Sequence, residues 1–190
     1  PGRSAPRDFV ELPSQLLENW STEKEFLSKF AYHYQTHELI PDTLVQKIHD
    51  FENFQSGYAC CRQLTFGLLD MMWHTCDPTK VGDVLAAERK AIKRTQLLPV
   101  VEGTCISTCF SHIFSGGYAA GYYGYKWAEV LDADAFSLFK EKGVYNKEVA
   151  ESYRRNILSK GGSEKAMDLY VRFRGREPKI DALLERSGLK

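Results

Sequence analysis

The fold class turns on QSGYACCRQLTFGLLDMMWHT, residues 55–75. This run is too long for a typical strand and rich in apolar residues, so it predicts one long helix with Leu64, Leu68, Met71 and Met72 in the core. Upstream, Pro41 and Asp42 open a helix over residues 42–51. Residues 22–34 read as an amphipathic helix with Thr22 and Glu25 as its capping box. Residues 8–20 put Phe9, Leu12, Leu16, Leu17 and Trp20 near helical spacing. Downstream of Asp77 and Pro78, residues 81–95 predict a helix whose solvated face carries Glu88, Arg89, Lys90, Lys93 and Arg94. Residues 99–109 read as irregular or briefly extended. Helices are expected over 128–142, 147–158 and 163–173, with Gly143, Gly161 and Gly162 as stops, and Pro178 opens a short last one ending near Gly188. With no repeats, low-complexity tracts or long linkers, the expectation is one all-α unit over residues 1–190.

A chain of 190 residues with 43% apolar and 26% charged residues can bury a real core. Its 25 basic and 25 acidic side chains cancel, so no global field draws it to nucleic acid or to an anionic membrane. No apolar run approaches the roughly 18 to 20 residues of a membrane span, and the opening PGRSAPRD has no signal-peptide core. That opening is abrupt, as a fragment's would be, which leaves an export signal in a longer parent open. Five cysteines (Cys60, Cys61, Cys76, Cys105, Cys109), odd in number and without a CxxC pair, suit free thiols in a reducing compartment, and so the cytoplasm. Ten Tyr among 24 aromatic residues (10 Tyr + 11 Phe + 3 Trp) bring many phenols that need polar partners or a wet cleft.

Three stretches could carry chemistry. The most unusual is HIFSGGYAAGYYGYKW, residues 112–127, where Gly116, Gly117, Gly121 and Gly124 alternate with Tyr118, Tyr122, Tyr123 and Tyr125. Glycines let backbone bend around a ligand while phenols converge on it, and a tyrosine hydroxyl can donate to an oxyanion. A glycine-rich helix contact with packed tyrosines fits the same composition. In RDFVELPSQLLENW, residues 7–20, Glu11 and Glu18 lie seven apart, roughly on one helix face, as two carboxylates that hold or orient a metal would. By spacing alone, two solvated helix glutamates are the default reading, because exposed glutamate is the rule. HYQTH, residues 33–37, spaces His33 and His37 like zinc ligands on a helix, but Tyr34 stands where the general-base Glu of HExxH belongs, so metal binding there is discounted. His49 and His74 read as structural histidines, and Cys60 and Cys61 as small hydrophobes.

RDFVELPSQLLENW, FSHIFSGGYAAGYYGYKW and ILSKGGSEKAMDLYVRFRGREPKIDALL, in this order and spacing, resemble the C-terminal part of the catalytic domain of the thimet oligopeptidase family of zinc peptidases. This is peptidase family M3, and the likeness is to its oligopeptidase A and dipeptidyl carboxypeptidase branch, with RFRGREP leaning to the former. The resemblance covers nearly the whole chain. It implies an all-α part of a zincin-type domain that hydrolyses peptide bonds in short oligopeptides, as an endopeptidase or a peptidyl-dipeptidase, with Zn²⁺ as cofactor.

By that resemblance Glu11 is the third zinc ligand and Glu18 a carboxylate behind it. His112, Tyr118, Tyr122 and Tyr125 bind substrate together with Gly116 and Gly117, and Tyr125, Tyr118 and His112 act in catalysis, Tyr125 as the oxyanion donor. The family's HExxH helix is expected upstream of residue 1, since these 190 residues contain none. The chain alone is therefore expected to be inactive, to hold zinc poorly, to pack against the rest of its parent, and to self-associate without it. A non-catalytic helical peptide-binding module is the alternative.

Overall fold

The computed structural model describes residues 5–190, and its regular structure there is helical. In chain order the helices are α1 (Leu12–Glu18), α2 (Lys24–Leu27), α3 (Asp42–Glu52), α4 (Ser56–Thr75), α5 (Val84–Ile92), α6 (Tyr123–Lys142), α7 (Lys147–Tyr153), α8 (Ala166–Arg174) and α9 (Asp181–Arg186). Among the described residues there is no strand, and an isolated antiparallel bridge pairs Tyr32 with Leu39. The chain is all-α. The opening Pro1, Gly2, Arg3 and Ser4 lie outside the described residues.

Several boundaries differ from the sequence expectation. The helix expected over 22–34 is the single turn α2, capped at Glu23 without a side-chain bond, so the Thr22/Glu25 capping box does not form. Residues 30–40 instead fold back through the Tyr32–Leu39 bridge, with His37 at φ 58°. α8 starts three residues later than expected, behind Lys165 in extended backbone. α7 continues through a π-helical turn, Arg154–Leu158.

The described residues gather in two compact units, one of residues up to Phe54 together with Trp127–Lys190, the other Gln55–Lys126. No linker or composition shift marks either crossing. At the first, Gln55 takes a left-handed backbone at φ 55°, and the second falls inside α6. Periodicity along the sequence cannot register a division within one helix.

In the first unit, Phe9 and α1 (Leu12, Leu16) bury against α6 (Leu131, Ala135, Phe136, Phe139), α7 (Val149, Tyr153) and α8 (Leu169, Tyr170, Phe173). The i, i+4, i+8 run Leu131, Ala135, Phe139 sets the inward stripe of α6. Trp20 packs edge-on to Phe136 and Phe139 at 4.7 and 4.9 Å, and its indole N–H donates to the Val144 carbonyl at 3.1 Å.

Two carboxylates of α6 are buried within this core and matched by arginines. Asp134 accepts the Tyr170 hydroxyl at 2.8 Å and both terminal nitrogens of Arg176 at 2.7 and 3.1 Å, while Arg174 donates to its backbone carbonyl at 3.0 Å. RFRGREP is therefore a structural clasp: its Arg174 and Arg176 tie the end of α8 to α6. Asp132 accepts Asn19 at 2.9 Å and pairs with Arg186, joining α1, α6 and α9. Burial pushes the Asp132 carboxyl above its ordinary range, against the pull of Arg186 and Asn19.

Candidate active site

In the second unit α4 turns Thr65, Leu69 and Asp70 inward. This reverses the expected core face: Leu64, Leu68 and Met71 are exposed and Met72 half-buried. Leu68, Met71 and Met72 line an open groove with Val81, Ala87 and Ala91. The inward face is decided by hydrogen bonding as well as by apolar area, since Thr65 bonds the Cys61 carbonyl and Thr95 while Asp70 anchors a loop.

Glu88 of α5, expected on a solvated face, is buried. Its carboxylate accepts the Ile106 amide at 2.9 Å and the Ser107 amide and hydroxyl at 2.7 and 2.5 Å. Burial pushes its pKa up, but these bonds, with the Cys105 thiol, outweigh burial and hold it below the ordinary glutamate value.

The Gly/Tyr stretch starts with a 3-10 turn, Ser111–Ile113, and enters α6 at Tyr123. Tyr123 to Trp127, expected outside any helix, are its first turn, so packing overrides the helix cost of Gly124, which is buried. Only glycine fits at 116: a Cβ there would meet the His112 carbonyl oxygen at 2.6 Å. Gly117 follows at φ 80°.

This path folds His112, Tyr118, Tyr122 and Tyr125 into one aromatic cluster. The His112 ring stacks on Tyr118 at 4.6 Å and 12°, and Tyr118 stacks on Tyr125 at 5.0 Å. Tyr122 closes the group 5.1 Å from Tyr125, backed by Phe110 and Phe66. His112 Nε2 and the Tyr125 hydroxyl are hydrogen-bonded at 2.8 Å. Burial raises the Tyr122 pKa, opposed by the Arg62 charge, so this phenol is neutral at pH 7. All four rings are half-buried, so their polar ends remain reachable, while Gly116 and Gly117 are exposed.

Beneath the cluster, Asp70 is fully buried and saturated with donors. Oδ1 accepts the Ala120 amide at 2.9 Å and His74 Nδ1 at 2.7 Å, and Oδ2 accepts the Tyr122 amide at 2.9 Å. His74 is thus structurally satisfied, as the sequence suggests, but by a partner the sequence reading passed over.

The glutamates belong to the first unit. Glu11 caps α1, half-buried, with Oε2 accepting the Ser14 hydroxyl at 3.1 Å. Glu18 ends the same helix, exposed, two turns and about 10 Å along the axis from Glu11. HYQTH lies in no helix: His33 Nδ1 accepts the Thr36 amide at 3.1 Å inside a turn. Among the described residues no three His, Cys, Asp or Glu side chains gather as a metal site. Glu11 therefore offers one carboxylate, and a zinc ion, which takes three or four protein ligands, does not fit these residues by themselves.

The family model of peptidase family M3 matches residues 1–189. The chain belongs to peptidase family M3. It is 47% identical over 186 residues to oligopeptidase A of Escherichia coli (strain K12), covering 97% of this chain and 27% of that protein. To the dipeptidyl carboxypeptidase of the same strain it is 40% identical over 190 residues, 99% and 28% of the two chains. To saccharolysin of Saccharomyces cerevisiae it is 37% identical over 190 residues, 98% and 26%. The chain thus spans about a quarter of the length of these M3 relatives.

Within this M3 chain, the sequence reading points neither to Asp70, the partner of His74, nor to the buried place of Glu88. One signal for the first was available: a lone Asp and a His four residues on, sharing a face inside an apolar run. Glu88 gave none, because a buried glutamate within a charged run looks like its exposed neighbours.

Proposed function

We propose that this chain is part of a peptidase that hydrolyses peptide bonds in short oligopeptides, as an oligopeptidase or peptidyl-dipeptidase, and that it supplies a substrate-binding and oxyanion-stabilising aromatic cluster. The observation that carries this reading is the hydrogen bond between His112 and Tyr125 within the ring group of His112, Tyr118, Tyr122 and Tyr125, in a chain of family M3. Stacked phenols with reachable hydroxyls suit an extended peptide, whose carbonyls accept hydrogen bonds and whose faces are apolar. With a proton on Nε2, the imidazole donates to the Tyr125 oxygen, and the phenol's own O–H is the donor that would meet the oxyanion as it forms. The open turn at Gly116 and Gly117 leaves room for the peptide backbone.

Glu11 is proposed as one ligand of a catalytic Zn²⁺, with Glu18 as a supporting carboxylate. The other ligands would come from outside these 190 residues, so the chain alone would neither retain zinc nor cleave peptide. The exposed Leu64, Leu68 and Met71 fit burial against the rest of the parent, or self-association in its absence. No described helix is long and apolar enough to cross a membrane. A cytoplasmic parent is the proposed setting.

Glu11→Gln in the full-length peptidase that carries this chain tests the proposal, because it keeps the size and removes the charge. Bound zinc and cleavage of a quenched fluorescent peptide should fall together. Normal zinc content with normal turnover would reduce Glu11 to an ordinary helix glutamate, and peptide binding without cleavage by the unaltered protein would favour a binding module.

A further inference from the structure

We infer that Asp70 is the positioning residue of the tyrosine cluster, oriented by His74, and that it acts on the reaction through Tyr125; this rests on the peptidase reading above. The carboxylate binds the backbone between Tyr118 and Tyr125, at Ala120 and Tyr122. Its oxygens take the amides of Ala120 and Tyr122, on either side of Gly121, so residues 120–122 wrap around it as a backbone nest wraps an anion. Tyr118 lies one turn before this nest, where the Gly121 amide donates to its carbonyl at 2.8 Å. Tyr125 lies one turn after, its amide donating to the Tyr122 carbonyl at 3.2 Å.

The backbone would not hold this shape without a partner. Ala120 sits at φ 52°, a left-handed conformation that non-glycine residues avoid, and its own amide is one of the two that Asp70 binds. Removing the carboxylate leaves two inward amides unsatisfied and releases Ala120 to more favourable backbone angles.

His74 completes the arrangement from the same helix, four residues on. Its Nδ1 faces two acceptors, Asp70 Oδ1 at 2.7 Å and the Asp70 carbonyl at 2.9 Å, so this nitrogen carries the proton. The ring lies 5.7 Å from Phe114, on the other arm of the Gly116–Gly117 turn. Asp70 and His74 together thus touch the loop before and after its glycines. A misplaced Tyr125 hydroxyl would still bind peptide but would donate poorly to an oxyanion, since shifts of about 1 Å cost up to roughly 100-fold in rate.

The test uses the full-length peptidase. Asp70→Asn keeps the shape and replaces one acceptor by a donor aimed at an amide or at His74. Glu88→Gln makes the same chemical change at a second buried carboxylate that also binds backbone amides. Asp70→Asn should lower kcat about 10- to 100-fold with KM nearly unchanged, and should speed hydrogen exchange at the Ala120 and Tyr122 amides. Glu88→Gln should do neither, even where the two variants lose equal thermal stability. Combined with Tyr125→Phe, Asp70→Asn should add little further loss, because the two act through one hydroxyl.

His74→Phe keeps an aromatic ring against Phe114 and removes the donor to Asp70. It should show the same effects at smaller amplitude, and it carries the test if Asp70→Asn fails to fold. Equal kcat for Asp70→Asn and Glu88→Gln, unchanged exchange at Ala120 and Tyr122, or full additivity with Tyr125→Phe would each overturn the inference. Faster exchange in a protein where Tyr125→Phe alone leaves kcat untouched would instead refute the role given to Tyr125, and with it the claim that Asp70 acts through that residue.

Discussion

The two units of this chain bury carboxylates for opposite purposes. In the first, Asp132 and Asp134 meet guanidinium groups, and what they join is helix ends: α6 to the end of α8 through Arg174 and to the residue two beyond it, Arg176, and α6 to α9 through Arg186. In the second, Asp70 and Glu88 meet backbone amides, and what they join is helix to irregular chain: α4 to residues 120–122 and α5 to residues 106–107. A guanidinium partner fixes a docking contact between elements that already have their shape. An amide partner gives shape to a segment that has no ladder of its own, and such a segment is where the tyrosine cluster lies.

The largest effect on folding should come from breaking the first kind. Asp134→Ala takes the carboxylate away from Arg174 and Arg176 and leaves the Tyr170 hydroxyl only the Leu131 carbonyl, and losing one partner of a buried ion pair costs about 3 to 5 kcal/mol. Denaturant unfolding of the chain should show that loss globally, as a lower midpoint. A change below about 1 kcal/mol, the scale of an exposed pair, would mean that the clasp contributes little.

Acid should separate the two kinds at smaller amplitude. The Glu88 pKa is depressed in the fold, so its contribution is complete above the ordinary value of 4.5 and disappears as pH falls through the lower folded value. The Asp132 pKa is raised from 3.8, so the folded state takes up that proton more readily than the unfolded chain, and acid does not remove stability through this group. Protection of the Ile106 and Ser107 amides should therefore fall below pH 4.5 before protection in α6 does. Simultaneous loss would place both carboxylates in one unfolding event and erase the contrast.

The same contrast explains what the sequence could tell. Pro41 for α3 and a long apolar-rich run for α4 gave their bounds within a residue or so, because those signals are local, while the inward face of α4 was misread. The family segments led to Glu11, His112 and the tyrosines, and the structure brings His112, Tyr118, Tyr122 and Tyr125 together. Asp70 stayed hidden because its partners are amides 50 and 52 residues away, and an amide has no side-chain identity to read. α2 was overdrawn because Thr22 and Glu25 look like a cap, whereas residues 30–40 turn back through a bridge set by tertiary context.

In the proposed reaction the amide-held loop presents Tyr125 for chemistry. Tyr125→Phe and Tyr123→Phe make the same change two residues apart in the first turn of α6, and steady-state kinetics of both variants in the full-length peptidase decide the matter. Tyr125→Phe should lower kcat and kcat/KM together by about 10² to 10³, with KM hardly moved, as for other single oxyanion donors, while Tyr123→Phe stays near the unaltered enzyme. Equal, small losses in both variants, tracking stability alone, would make Tyr125 a packing residue with no part in the chemistry.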